Sequence, residues 1–269
     1  MNIKSVCIEL SNQCPLKCLH CSTNALPNKH LFYNKGETER LVQTFISQKL
    51  EIVYLSGGEP LLSPYLPDMI KNLKNANIKT AIYSSGVIFG SKGLISVDSS
   101  YCNSLKFNGL DTIAFSIYSM NENVHENITK TKKSLYLLKN SVSNFIDAGI
   151  NVEINFVPFS SNYKDLENII IYCIENNIKT INIQKAIMQG RLIENSHIIM
   201  TPLEENEFIQ TLCILTNKYK QLIDIIVSKL FDIKVDGILK SKYSAGMDEY
   251  YISIPYKEIS GRKFRYLAQ

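Results

Sequence analysis

The chain has 269 residues, of which 45% are hydrophobic and 20% charged, and its formal net charge is +4. That composition is globular and the length is ample for one large α/β domain; no apolar run is long enough to cross a bilayer, and the lysines are scattered, so no membrane or nucleic-acid partner is expected. Seven cysteines, an odd number, in a chain that begins directly with the strand-like KSVCIEL rather than a signal peptide, point to a reducing cytoplasm.

In chain order, β-branched runs at 6–10, 52–55, 79–83, 112–117, 152–157 and 180–183 predict six strands. Helical periodicity follows each, at 37–48, 64–75, 101–107, 132–148, 163–176 and 203–220, which is the rhythm of six βα units around a mainly parallel sheet. Residues 90–100 read as a loop. Gly149 fits a helix C-terminal cap, and Pro202 an early helical position behind Thr201. Beyond residue 221 the rhythm gives way to short strand-like pieces (IDIIVSKL, EYYISIPY) and a basic tail, GRKFRYLAQ.

Cys14, Cys18 and Cys21 stand in one run, CPLKCLHC, directly after the first strand. In a reducing compartment a close set of thiols reads as metal-binding. Iron–sulfur clusters normally take four cysteine ligands, so a cubane held by three leaves one iron open to a ligand that is not protein. Cys7, Cys102, Cys173 and Cys213 are isolated in apolar contexts and read as small buried hydrophobes.

In parallel βα folds the loops after the strands share one face, which sets the cysteine loop beside the turn after the second strand. That turn is Gly57-Gly58-Glu59-Pro60: two glycines that admit close backbone approach, a carboxylate, and a proline that stiffens the exit.

The two motifs together resemble those of the radical S-adenosylmethionine enzymes, over roughly residues 3 to 200. The resemblance implies a partial (β/α)6 TIM-like barrel for residues 1–200, with a short C-terminal α+β extension at 201–269. It implies one [4Fe–4S] cluster on Cys14, Cys18 and Cys21, with S-adenosylmethionine on the open iron. Reductive cleavage would give a 5′-deoxyadenosyl radical that takes hydrogen from a substrate, the electron coming from a donor such as flavodoxin or ferredoxin. By the same resemblance Gly57, Gly58 and Glu59, with Pro60 behind them, would receive the methionine ammonium. Ser85 and Ser116 would contact the ribose and the methionine carboxylate, and Arg191 in Gln189-Gly190-Arg191 would grip a carboxylate of the cofactor or substrate.

The segment His125 to Lys130, HENITK, and the QGR loop resemble the subgroup that modifies peptides, although Glu126 and Lys130 depart from its pattern. His125 reads as a capping or surface residue, and His20 as packing beside the cluster rather than ligating iron. Ser244 stands where that subgroup's auxiliary-cluster domain has a cysteine, and no cysteine follows Cys213, so a single cluster is expected. The substrate is expected to be a peptide or a small metabolite. The alternatives are a zinc-binding or structural iron–sulfur module, for which His20 or His30 would have to supply a fourth ligand, and a divergent member acting on a nucleotide-type molecule. Tyr118, Cys102, Cys173 and Cys213 are candidates for a second hydrogen donor.

Overall fold

The computed structural model describes residues 4–228 and 249–252. Ser244 and the basic tail lie outside the described residues. The first strand, β1 (Ser5–Ser11), leads through a long loop into α1 (Lys35–Ser47), and β2 (Ile52–Gly57) into α2 (Leu66–Asn75). Next come β3 (Lys79–Ser84), β4 (Val87–Gly90), β5 (Gly93–Ser96), α3 (Ser99–Phe107) and β6 (Thr112–Ser116). The chain continues through α4 (Glu122–Thr129), α5 (Ser134–Asp147), β7 (Asn151–Phe156), α6 (Leu166–Glu175) and β8 (Thr180–Ile183). It then runs through α7 (Pro202–Tyr219) and β9 (Asp224–Val227) to β10 (Glu249–Ile252).

Eight strands form one sheet in the order β10-β1-β2-β3-β6-β7-β8-β9, every neighbouring pair parallel. This is the expected partial barrel, open between its edge strands. Alternation along the strands decides which face meets the helices. Val53, Leu55, Ile113, Phe115, Ile154, Phe156, Ile181 and Ile183 join the main core with Phe45 of α1, Leu73 of α2, Phe145 of α5, Ile170 of α6 and Phe208 of α7. Phe115 meets Phe145 edge-on and Phe156 lies against Phe208, which fixes that face as the outer, helix-covered one. Ser116, Asn155 and Asn182, paired in register across β6, β7 and β8, fall on the opposite face.

All six strands expected from sequence form within a residue or two of their expected ends. Gly149, at φ 71°, follows α5, and Thr201 caps α7 in a reciprocal capping box with Glu204, ahead of Pro202. The expected loop at 90–100 is instead partly strand: β4 and β5 pair as an antiparallel hairpin outside the main sheet. The expected single helix at 132–148 is preceded by a second one, α4, whose buried residues are His125, Ile128 and Thr129. Two of those three are polar, and Val124 and Ile128 give only one apolar i,i+4 pair, so the helical period is weak. Past residue 200, α7 and β9 repeat the βα pattern and add a strand beside β8, while β10 lies at the other edge beside β1.

Candidate active site

The cysteine loop, the GGEP turn, Ser85, Ser116 and Arg191 all lie at or after the C-terminal ends of strands, at one mouth of the partial barrel. Here the cysteine loop is fastened to the turn after β2. The Gly58 N–H donates to the Ser11 carbonyl at 2.6 Å and the Glu59 N–H to the Gln13 carbonyl at 2.8 Å. A Cβ on Gly57, which has φ +117°, would stand 2.5 Å from the Ser11 oxygen, and one on Gly58 would stand 2.1 Å from that of Gln13. The two glycines therefore serve first to bring two backbones together.

Glu59 is fully buried. One carboxylate oxygen accepts from the Leu61 N–H at 3.2 Å and the Ser84 hydroxyl at 2.8 Å; the other accepts from the Ser85 N–H at 2.8 Å and the Ser85 hydroxyl at 2.5 Å. Burial raises its pKa and these four hydrogen bonds oppose that rise. Within the protein Glu59 binds the end of β2 to the end of β3, and Ser85, expected at the ribose or the methionine carboxylate, is its hydrogen-bond partner. Pro60 opens a short 3₁₀ turn over residues 60–62 and is buried.

Arg191 reaches into the cysteine loop: its Nε donates to the Cys18 carbonyl at 2.9 Å and its Nη1 to the Ala25 carbonyl at 2.8 Å. On a third side, the N–H groups of Lys17 and Leu19 donate to Thr129 and Ile128, satisfying carbonyls at the end of α4. The helix α4 was not read from the sequence, although its HENITK segment was, and Asn195, which donates to the Leu19 carbonyl at 3.3 Å, carried no signal.

Cys14 is buried and Cys18 and Cys21 partly so, in a small apolar group with Leu16, Ala25 and Val87. Burial first, then the neighbouring Cys18, pushes the Cys14 thiol up; burial and Cys21 push Cys18 up to about 12, although Arg191 pulls it down. Among the described residues no three His, Cys, Asp or Glu side chains converge as ligands of a single ion would. A cluster places each thiolate on its own iron and asks for no such convergence. Three thiols that repel one another as thiolates, in a largely apolar setting, are a donor set that cations between them would hold deprotonated, and in that respect they fit an iron–sulfur cluster.

His20 lies in the same loop. Its Nε2 is 3.0 Å from the Tyr118 hydroxyl, its ring packs on Tyr118 and Phe159, and its Nδ1 is buried without a partner. Burial lowers it to about 4, with Arg191 adding to the effect. The Tyr118 hydroxyl also interacts with Ser116. Cys102 and Cys173 are fully buried in the helix–sheet core, with thiols pushed up to about 12 by burial, as expected of packing residues. Cys213 and Cys7 are only partly buried.

His125 is 1% exposed, neither a cap nor on the surface, and its Nδ1 accepts from the Tyr118 N–H at 3.3 Å. Burial lowers its pKa from 6.5 to about 4, against a smaller opposing pull from Glu126. The unfolded chain takes up that proton near 6.5 and the folded chain only near 4, so stability is lost as pH falls through this window. Between pH 7 and pH 5 the loss is about 2 kcal/mol. Denaturant unfolding at the two pH values should show the native chain losing that much more than a His125→Gln variant.

The sequence model of the Radical SAM superfamily matches residues 8–173. A probable GTP 3′,8-cyclase of Methanococcus maripaludis strain C5 is 26% identical over 229 residues, 82% of this chain and 74% of that one. A probable GTP 3′,8-cyclase of Methanococcus aeolicus is 30% identical over 177 residues, 64% of this chain and 56% of that one. Among solved structures, Streptococcus suis SuiB bound to S-adenosylmethionine superposes with a TM-score of 0.68 at 16% identity, covering 84% of this chain and 51% of SuiB. Native anSMEcpe with bound AdoMet superposes at 0.66 and 16% identity, covering 82% of this chain and 63% of that one. At such identities the likeness is one of fold. With the family model spanning more than half the chain, and with the cysteine loop and GGEP turn joined at the barrel mouth, this chain belongs to the radical S-adenosylmethionine superfamily, enzymes that work with a [4Fe–4S] cluster and S-adenosylmethionine.

Proposed function

We propose that Cys14, Cys18 and Cys21 bind the single [4Fe–4S] cluster of a radical enzyme whose substrate is a peptide or a small molecule. The observation that carries this is the backbone junction between the cysteine loop and residues 57–59, which holds three thiols beside the turn that would face the open iron. When bound and reduced, the cluster supplies the electron that cleaves S-adenosylmethionine, and the resulting 5′-deoxyadenosyl radical abstracts hydrogen from a C–H bond.

The protein's own part is to bind, orient and keep water out. Both oxygens of Glu59 already accept two hydrogen bonds each, so a methionine ammonium would take backbone carbonyls of the GGEP turn instead. Ser116, on the inner face at the end of β6 beside the Tyr118 hydroxyl, would face the rest of the cofactor. The apolar group around Cys14 excludes water from the cluster side. A flavodoxin or ferredoxin in the cytoplasm would deliver the electron; among the described residues no helix is long and apolar enough to cross a membrane.

For the substrate, the HENITK and QGR segments support a peptide. A nucleotide is the second reading, favoured by the relatives named as probable GTP 3′,8-cyclases. Anaerobic reconstitution followed by dithionite and S-adenosylmethionine should yield 5′-deoxyadenosine by chromatography; its absence would overturn the radical reading. GTP added to the same mixture is expected to survive intact, and its consumption in step with 5′-deoxyadenosine would replace the peptide reading with the nucleotide one.

A further inference from the structure

The loop after β8 is bound to the cysteine loop across a separation of more than 160 residues. The Arg191 N–H donates to the Cys21 carbonyl at 3.0 Å, while its Nε and Nη1 take those of Cys18 and Ala25. Asn195 Nδ2 reaches the Leu19 carbonyl and turns back to that of Arg191 at 2.8 Å. A Cβ on Gly190, at φ +59°, would stand 2.3 Å from the Cys21 oxygen, so the two backbones are in direct contact. These bonds engage Cys18, Leu19, Cys21 and Ala25, the stretch that carries the second and third thiols.

We infer that Arg191 is the positioning residue of the cysteine loop, fastening it across the barrel mouth by two carbonyls and setting a fixed positive charge beside Cys18. The inference rests on the reading that these cysteines carry the cluster. A guanidinium suits both tasks, because its planar fork reaches two acceptors at once and it does not lose its proton. Reduction adds an electron to the cluster, and a nearby cation stabilises that added charge, so Arg191 raises the midpoint potential. Lysine would keep the charge and lose the fork.

Two readouts test this, one in the apoprotein and one in the reconstituted enzyme. Native-state alkylation of Cys18 and Cys21 by iodoacetamide, followed by mass spectrometry, should run roughly tenfold faster in Arg191→Lys, which keeps the charge beside Cys18, and faster at Cys21 in Arg191→Gln, since loop opening no longer breaks those hydrogen bonds. An EPR-monitored redox titration should place the Arg191→Gln midpoint more negative than that of the native enzyme, with Arg191→Lys recovering most of the shift. Labelling at the native rate would overturn the fastening role, and an unmoved midpoint in Arg191→Gln would overturn the electrostatic one. Should Arg191→Gln fail to fold, the labelling rate of Arg191→Lys decides the fastening role alone. If the native chain takes up no iron, the cluster reading fails while labelling still judges the clamp.

Discussion

Cys18→Ala is expected to empty the site while leaving the barrel standing. Iron should fall from about four per chain after anaerobic reconstitution to background, the broad absorbance at ~400 nm should vanish, and no 5′-deoxyadenosine should form. Two thiolates cannot hold a cubane that already lacks a fourth protein ligand. The fold should tolerate the change because Cys18 is only partly buried and packs against the small apolar group at the mouth rather than the main core. Its backbone carbonyl, which accepts from Arg191, is kept by alanine. Unfolding of the apoprotein in denaturant should therefore shift by no more than about 1 kcal/mol. A variant that retains the full iron content would show that Cys18 is not a ligand, and one that unfolds would show that the thiol is a packing residue.

What the sequence made legible, and what it hid, divides along a physical line. Strands such as 180–183 were readable because β-branched runs in a parallel sheet have a local cause, burial between layers, that acts wherever they occur. The hairpin β4–β5 was hidden because VIFGSKGLIS carries two glycines and a polar turn, the marks of a loop, and α4 because its buried face is mostly polar, His125 and Thr129 beside Ile128. At the site, the cysteine spacing and GGEP announced themselves since both are continuous in sequence. The partners of Glu59 and Arg191 did not. Glu59 finds Ser84 and Ser85 on the next strand, and Arg191 finds Cys18 at a separation of 173 residues. Residue type said that each would bind something with its charge; only the fold says that the something is the protein itself. Both therefore have a scaffold role within the chain: Glu59 joins the ends of β2 and β3, and Arg191 holds the loop that carries the thiols.

The same reasoning makes Gly58 a position where one methyl group should cost more than most. Its Cβ would stand 2.1 Å from the Gln13 oxygen and 2.6 Å from the Gln13 carbonyl carbon, both backbone atoms with no rotamer to turn aside. One of the two chains has to retreat, and the Gly58 and Glu59 N–H bonds to Ser11 and Gln13 go with it. Gly58→Ala is expected to lower the unfolding free energy toward the upper end of the about 1–3 kcal/mol typical of forced overpacking. It should also cut iron uptake sharply, because Gln13 directly precedes Cys14 and any retreat of that carbonyl moves the first thiol. Gly36→Ala is the matched control. Gly36 lies in the first turn of α1 with nothing nearer than 3.7 Å to a new Cβ, so alanine there should be neutral or stabilise by up to about 1 kcal/mol and leave iron unchanged. Denaturant unfolding and iron analysis of the pair decide the matter. Native stability and native iron in Gly58→Ala would mean that the junction between the GGEP turn and the cysteine loop does not hold the site together.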